Sequence, residues 1–188
     1  MISQHSTQTE LYCADVKNAL MTLSTAKSKI AVVNNANSFE GSAPYKIDFQ
    51  YYPYADKSCR DMTSSDLSQI DVRYYVETDT SAECGGVSCI YVRGGQTLQH
   101  AESDGTATDY GYAILVLKES TMNGTAYDYL VNHETGHALG LLDGNGTCPG
   151  SIMHSADYGC GNGYPDWPTS IDKTTVNNEA AEETYASQ

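Results

Sequence analysis

Two histidines four residues apart constrain this chain more than any other feature: His133 and His137, in the run His133-Glu-Thr-Gly-His-Ala-Leu-Gly-Leu-Leu-Asp143. On a helix, residues at i and i+4 lie one above the other, so both imidazoles project from one face and can hold a single metal ion. Glu134 sits beside them, within reach of a water that such a metal activates, which is the arrangement a zinc-dependent hydrolase needs. A purely structural site has no use for Glu134 there. The run therefore predicts a helix over Ala126 to Leu139, opened by Thr125 and Asp128 as a capping box.

A catalytic zinc takes three protein donors and keeps one position open, so a third donor is required. Asp143 is the first candidate. Gly140 can adopt a left-handed conformation, end the helix and turn the chain back, bringing a residue three positions on towards the same ion. Two other donors compete. His154 is chemically suitable but adjoins Met153, and Glu179 lies in Asn178-Glu179-Ala-Ala-Glu-Glu183, which echoes the second-helix glutamate of thermolysin-like enzymes. His5 and His100 fall in polar segments and read as surface residues.

The pattern H-E-x-x-H-x-x-G-x-x-D, followed by a loop methionine in Ser151-Ile152-Met153, resembles the metzincin metallopeptidases, and within them the snapalysin type, whose third ligand is Asp instead of His. The resemblance implies an α+β fold: a mixed sheet, an active-site helix, a Met-turn loop and a C-terminal helix. It implies one catalytic zinc held by His133, His137 and Asp143, Glu134 as general base, and Met153 as the floor beneath the metal. It also implies that Cys148 and Cys160 enclose the Met turn, and that residues His154 to Tyr158 wall a pocket with a taste for bulky or aromatic side chains. The likeness spans Asn132 to Pro165, under a fifth of the chain. It departs at Ser155, where astacin and serralysin relatives place a Tyr; Tyr158 is the nearest substitute.

Outside that stretch, apolar spacing from Glu10 to Leu23 predicts an amphipathic helix. Strands are predicted at Lys29 to Val33, Tyr45 to Tyr52, Ile70 to Val76 and Ile90 to Arg93, each bounded by turn residues. Gly94 to Gly111 reads as a polar loop, and Ala113 to Leu117 as the last strand of the sheet. Thr169, with Asp172 at the capping-box position, predicts a final helix from Ser170 to Glu182. One catalytic domain is expected over 1–188, with lobes meeting near residue 139. Of the 15 Tyr, the cluster at Tyr51, Tyr52 and Tyr54 and the pair Tyr74 and Tyr75 read as strand residues with alternate rings facing core and solvent.

Charge and cysteine usage narrow the function. Ten Lys and Arg against 24 Asp and Glu give a formal charge of -14, so nucleic acid and anionic membranes are expected to be repelled. No apolar run approaches the roughly 20 residues of a membrane helix, and Met1 to Glu10 is too polar for a signal peptide, so a soluble chain is expected with any export signal removed. Six Cys suggest three disulfides and an oxidising compartment. Cys84 and Cys89 enclose a short turn, Cys148 and Cys160 bracket a Gly-rich segment, and Cys13 is left for Cys59. The expectation is a secreted, monomeric zinc endopeptidase, its polypeptide substrate bound as an extended strand along Ala113 to Leu117. Calcium is possible in such a protein, although no residue pattern here calls for it. A cell-wall amidase type of zinc amidohydrolase, or a non-catalytic zinc-binding adhesive domain, is the alternative.

Overall fold

Thr9–Lys17 forms a strand, β1, in place of the helix that the spacing of Leu11, Val16, Ala19, Leu20 and Leu23 predicts. Its residues alternate between two apolar environments. Tyr12 and Ala14 enter the main core, whereas Cys13, with Leu11 packed beside it, enters a smaller cluster with Tyr52, Cys59, Met62 and Ile70. A strand buried on both faces shows no polar alternation, and its apolar positions fall by accident at helical intervals. The computed structural model describes residues 9–39, 47–52, 57–85, 88–92, 98–102, 105–109, 112–141, 150–153 and 167–176.

After β1 come α1 (Leu23–Ile30), a 3-10 turn (Ala31–Asn34) and β2 (Asp48–Tyr51). The strand predicted over Lys29 to Val33 is thus helical. Its β-branched run suggests a strand, but Ala26, Ile30 and Val33 are all fully buried, at i, i+4 and i+7, and that spacing belongs to one helix face. Thr22 caps α1, its hydroxyl accepting the Thr25 N–H at 3.2 Å. Next follow α2 (Ser64–Leu67), β3 (Val72–Glu77), α3 (Ser81–Cys84) and β4 (Cys89–Val92). The predicted polar loop contains a hairpin, β5 (Leu98–Glu102) with β6 (Gly105–Asp109), whose polar sequence gave no apolar alternation to read. β7 (Ala113–Lys118), α4 (Glu119–Met122) and α5 (Tyr127–Ala138) follow. Residues 170–176 are helical, and the end predicted for that helix at Glu182 lies outside the described residues.

The main sheet has the order β2-β1-β3-β7-β4. Its first four strands run parallel and β4 runs antiparallel on β7. Parallel neighbours need a crossover, which α1 provides between β1 and β2. The described residues are therefore mixed α and β, in keeping with the α+β expectation. One expectation fails. β7 cannot take an added strand, because β3 pairs with it on one side and β4 on the other. Among the described residues β4 pairs with β7 alone, so β4 is the edge on that side.

Helices α1 and α5 cover one face of the sheet, with Val72, Tyr74, Val76, Leu115 and Leu117 buried against Ile30, Val33, Leu130 and Val131. On the other face Tyr75 packs against the smaller cluster, so Tyr74 and Tyr75 divide between two cores instead of between core and solvent. A disulfide joins Cys13 in that cluster to Cys59, with Cα atoms 5.4 Å apart, and a second joins Cys84 to Cys89 at 5.6 Å. Cys148 and Cys160 lie outside the described residues.

Closing a longer loop removes more entropy from the unfolded chain. The Cys13–Cys59 bridge spans 46 residues and the Cys84–Cys89 bridge 5. Replacing the first pair by alanines is expected to cost about 4 kcal/mol of stability, and the second about 2. Urea unfolding of the two double variants checks the order; equal losses would contradict it.

Candidate metal centre

The motif helix is held by satisfying its polar side chains. Asn132, His133, Glu134 and Thr135 are all buried in α5, and buried polar groups have to be paired. Ser38 Oγ donates to Asn132 Oδ1 at 2.6 Å, while Asn132 Nδ2 donates back to the Asp128 carbonyl at 2.9 Å. Thr135 Oγ1 donates to the Val131 carbonyl at 2.6 Å, so the Tyr74 hydroxyl, 2.8 Å from Thr135 Oγ1, is the donor of that pair. Burial pushes the Tyr74 phenol far above its ordinary pKa, which keeps that donor protonated. The predicted Thr125–Asp128 capping box does not form. Ala126 occupies the N-cap without a side-chain bond, and the Asp128 carboxylate accepts the neighbouring Tyr129 N–H at 3.0 Å. Asp128 still places an anion in the first turn, where the helix dipole favours one.

The two histidine rings lie 4.9 Å apart between centroids and perpendicular to one another. Each commits its Nδ1 to a backbone carbonyl: His133 to Ile152 O at 2.9 Å and His137 to Leu141 O at 2.8 Å. A carbonyl can only accept, so each Nδ1 carries a hydrogen, and in the neutral ring Nε2 is then the basic nitrogen. Tyr129 OH also approaches His133 Nδ1, at 3.3 Å. A ligating imidazole requires this state, in which one nitrogen donates to a carbonyl and the other offers its lone pair. His133 and His137 therefore fit a divalent metal such as zinc.

The helix ends as Gly140 predicts. Gly140 has φ 94°, the Gly140 N–H reaches His137 O at 3.0 Å, and the Leu141 N–H reaches Gly136 O at 2.9 Å. This pair of bonds is a Schellman cap, and it reverses the chain immediately before the run that holds Asp143. The same reversal delivers the Leu141 carbonyl to His137. Asp143 itself lies outside the described residues, as do His154, Tyr158 and Glu179. Among the described residues no group of three His, Cys, Asp or Glu gathers at one point.

Met153 packs beneath the motif. A Cβ placed on Gly136 would sit 2.5 Å from Met153 Sδ and 3.3 Å from Phe39 Cζ, and both side chains are buried. Gly136 is thus the residue that lets the Met153 loop approach α5, a role invisible in the H-E-x-x-H pattern. Reading the sequence also missed the carbonyls of Leu141 and Ile152, and the contact of Asp172 with the Met153 loop. Carbonyls carry no side-chain signature. Asp172 showed only its capping position.

Neither the known protein families nor the curated proteins contain a match to this chain.

Gly136→Ala adds helix propensity worth about 1 kcal/mol but overpacks a filled site, which costs about 1 to 3. Denaturant titration is expected to show net destabilisation that largely disappears when Met153→Ala is also present. A Gly136→Ala penalty that survives unchanged in the double variant would refute the packing role.

Proposed function

We propose that this chain is a zinc-dependent endopeptidase. The observation that carries this reading is the matched pair of contacts in which Nδ1 of His133 and of His137 each meets a backbone carbonyl. Two imidazoles one helical turn apart would supply a pair of metal donors, and Glu134, next to His133 in the chain, would supply the proton acceptor. Asp143, beyond the Gly140 reversal, is the third donor in this reading. Zinc held there would polarise the scissile carbonyl and lower the pKa of a coordinated water.

The protein's own groups do the rest. His133 and His137 hold their rings in place through Ile152 and Leu141, so binding requires little reordering. Glu134 accepts the proton of the attacking water and returns it to the departing amine nitrogen, a transfer worth about 10²- to 10⁴-fold in rate. An extended substrate adds along the outer edge of β4, whose partner β7 packs, like β4 itself, against α5. Backbone hydrogen bonds at a sheet edge bind many sequences, which suits a polypeptide substrate.

A metzincin-like domain of snapalysin type is the finer reading. It draws support from Met153 against Gly136 and from the turn at Gly140. Secretion draws support from the two disulfides, which persist in oxidising compartments.

Casein digestion with and without chelator tests the reading. Chelator-sensitive cleavage is expected. An intact casein with zinc bound would point instead to a non-peptidic amidohydrolase or a binding domain. Glu134→Ala should abolish cleavage while zinc content stays at about one per chain, since the residue moves protons and does not ligate. Asp143→Ala should weaken zinc binding by orders of magnitude, whereas His154→Ala and Glu179→Ala should leave it bound. Asp143→His should recover zinc binding. A full zinc complement in Asp143→Ala would assign the third ligand elsewhere.

A further inference from the structure

The carboxylate of Asp172, 3% exposed, lies at the start of the helix over 170–176 and serves two segments at once. On its own segment, Oδ2 accepts the Thr169 N–H at 2.7 Å and the Thr169 hydroxyl at 2.9 Å, while the Asp172 N–H faces Thr169 Oγ1 at 3.5 Å. This is the capping box that the sequence predicts. The same carboxylate also reaches 20 residues back along the chain. Oδ2 accepts the Ile152 N–H at 3.0 Å, and Oδ1 accepts the Ser151 hydroxyl at 2.5 Å. Ser151 Oγ in turn accepts the Met153 N–H at 3.0 Å, and Thr169 Oγ1 is 2.9 Å from the Gly150 carbonyl.

Ile152 is the junction. Its N–H is held by Asp172 and its carbonyl holds His133 Nδ1. The peptide unit that ends in the Ile152 carbonyl carries the Met153 N–H, which donates to Ser151 Oγ while the Ser151 hydroxyl donates to Asp172. The carboxylate thus polarises that peptide through Ser151, and its carbonyl becomes a better acceptor, because bonds in a chain strengthen one another in a low-dielectric interior. Charge-assisted bonds are also roughly twice as strong as neutral ones, so Asp172 fixes this loop more firmly than a neutral cap could. His137 has no such support from Asp172; its carbonyl partner, Leu141, belongs to the helix cap.

We infer that Asp172 is a positioning residue for the metal ligand His133, acting through the Ser151–Ile152 segment to set the Nδ1–H tautomer and the aim of the ring. This inference rests on the zinc reading above for its purpose, but the tautomer it predicts exists without metal. It also makes the helix over 170–176 part of the candidate metal centre, beyond simply packing on the core.

The test compares wild type, Asp172→Ala, Asp172→Asn and Val176→Ala. In metal-free protein, long-range ¹H–¹⁵N spectra of the imidazoles report each tautomer; competition with a chromophoric chelator reports zinc affinity. Wild type is expected to show Nδ1–H at both histidines. Asp172→Ala should give a tautomer mixture at His133 with His137 unchanged, and zinc affinity lower by about tenfold, the lower end for groups behind a ligand. Asp172→Asn should recover most of both, since its Oδ1 keeps the Ile152 and Thr169 bonds while Ser151 accepts from its Nδ2. Val176→Ala, which trims a buried side chain of the same helix, should lower thermal stability without moving either readout. A wild-type tautomer and wild-type affinity in Asp172→Ala would overturn the inference, as would equal disturbance of His133 and His137. Should Asp172→Ala fail to fold, Ser151→Ala leaves the helix cap whole and should shift His133 in the same direction; no shift there overturns it too. A wild-type chain that takes up no zinc would refute the peptidase reading alone, and the tautomer comparison would still decide the role of Asp172.

Discussion

Helix α5 buries Asn132, His133, Glu134 and Thr135 in succession, and a buried polar group left without a partner costs about 1 to 3 kcal/mol. Much of the surrounding structure answers that demand. Ser38 follows the 3-10 turn after α1 and meets Asn132; Tyr74 comes from the middle of β3 and meets Thr135. Ile152 and Leu141 turn carbonyls towards the two histidines. The apolar side chains of the core fix where the helix lies, and these polar contacts fix how it is rotated. A helix rotated by one residue would part Asn132 from Ser38, Thr135 from Tyr74 and His133 from Ile152.

The sheet beneath the helix is stiff for a different reason. β1 and β3 are interior strands with apolar side chains on both faces, so each is clamped between two clusters. T-shaped contacts of Tyr12 with Tyr51 and Tyr74, at 5.2 and 5.8 Å, link β2, β1 and β3 across the main core. Arg60 adds an ion pair to Asp15 at 3.3 Å close to the Cys13–Cys59 bridge. Among the described residues that face carries no part of the candidate centre. It supplies the fixed platform from which Tyr74 reaches α5.

Legibility in the sequence followed the range of the forces involved. The motif helix was readable because His133, Glu134 and His137 constrain one another within a single turn, and the helix end was readable because only glycine adopts φ 94° without strain. β2, β3, β4 and β7 stood out as short apolar runs between turn residues. β1 did not, since its burial on two faces is decided by strands 39 to 60 residues away in the chain. For α1, the helical spacing of Ala26, Ile30 and Val33 was present but hidden under β-branched residues. The hairpin β5–β6 pairs polar segments, so backbone bonding carries it without an apolar signature. The tautomer of His133, and the reach of Asp172 to Ser151, depend on contacts 19 to 21 residues apart, beyond any local pattern.

The strand order carries a consequence for how the molecule assembles. β4 precedes β7 in the chain yet among the described residues pairs with β7 alone, and β3 also waits for β7 along one edge. Until residues 113–118 arrive, the sheet has a gap at that position, and the contacts that close it are long in sequence and slow to form. Helix α5 follows β7 almost at once and packs on it. Closure of the sheet and seating of the motif helix therefore depend on the same strand. Without β7 the motif helix has no seat on the sheet, so a half-folded chain has no assembled candidate centre.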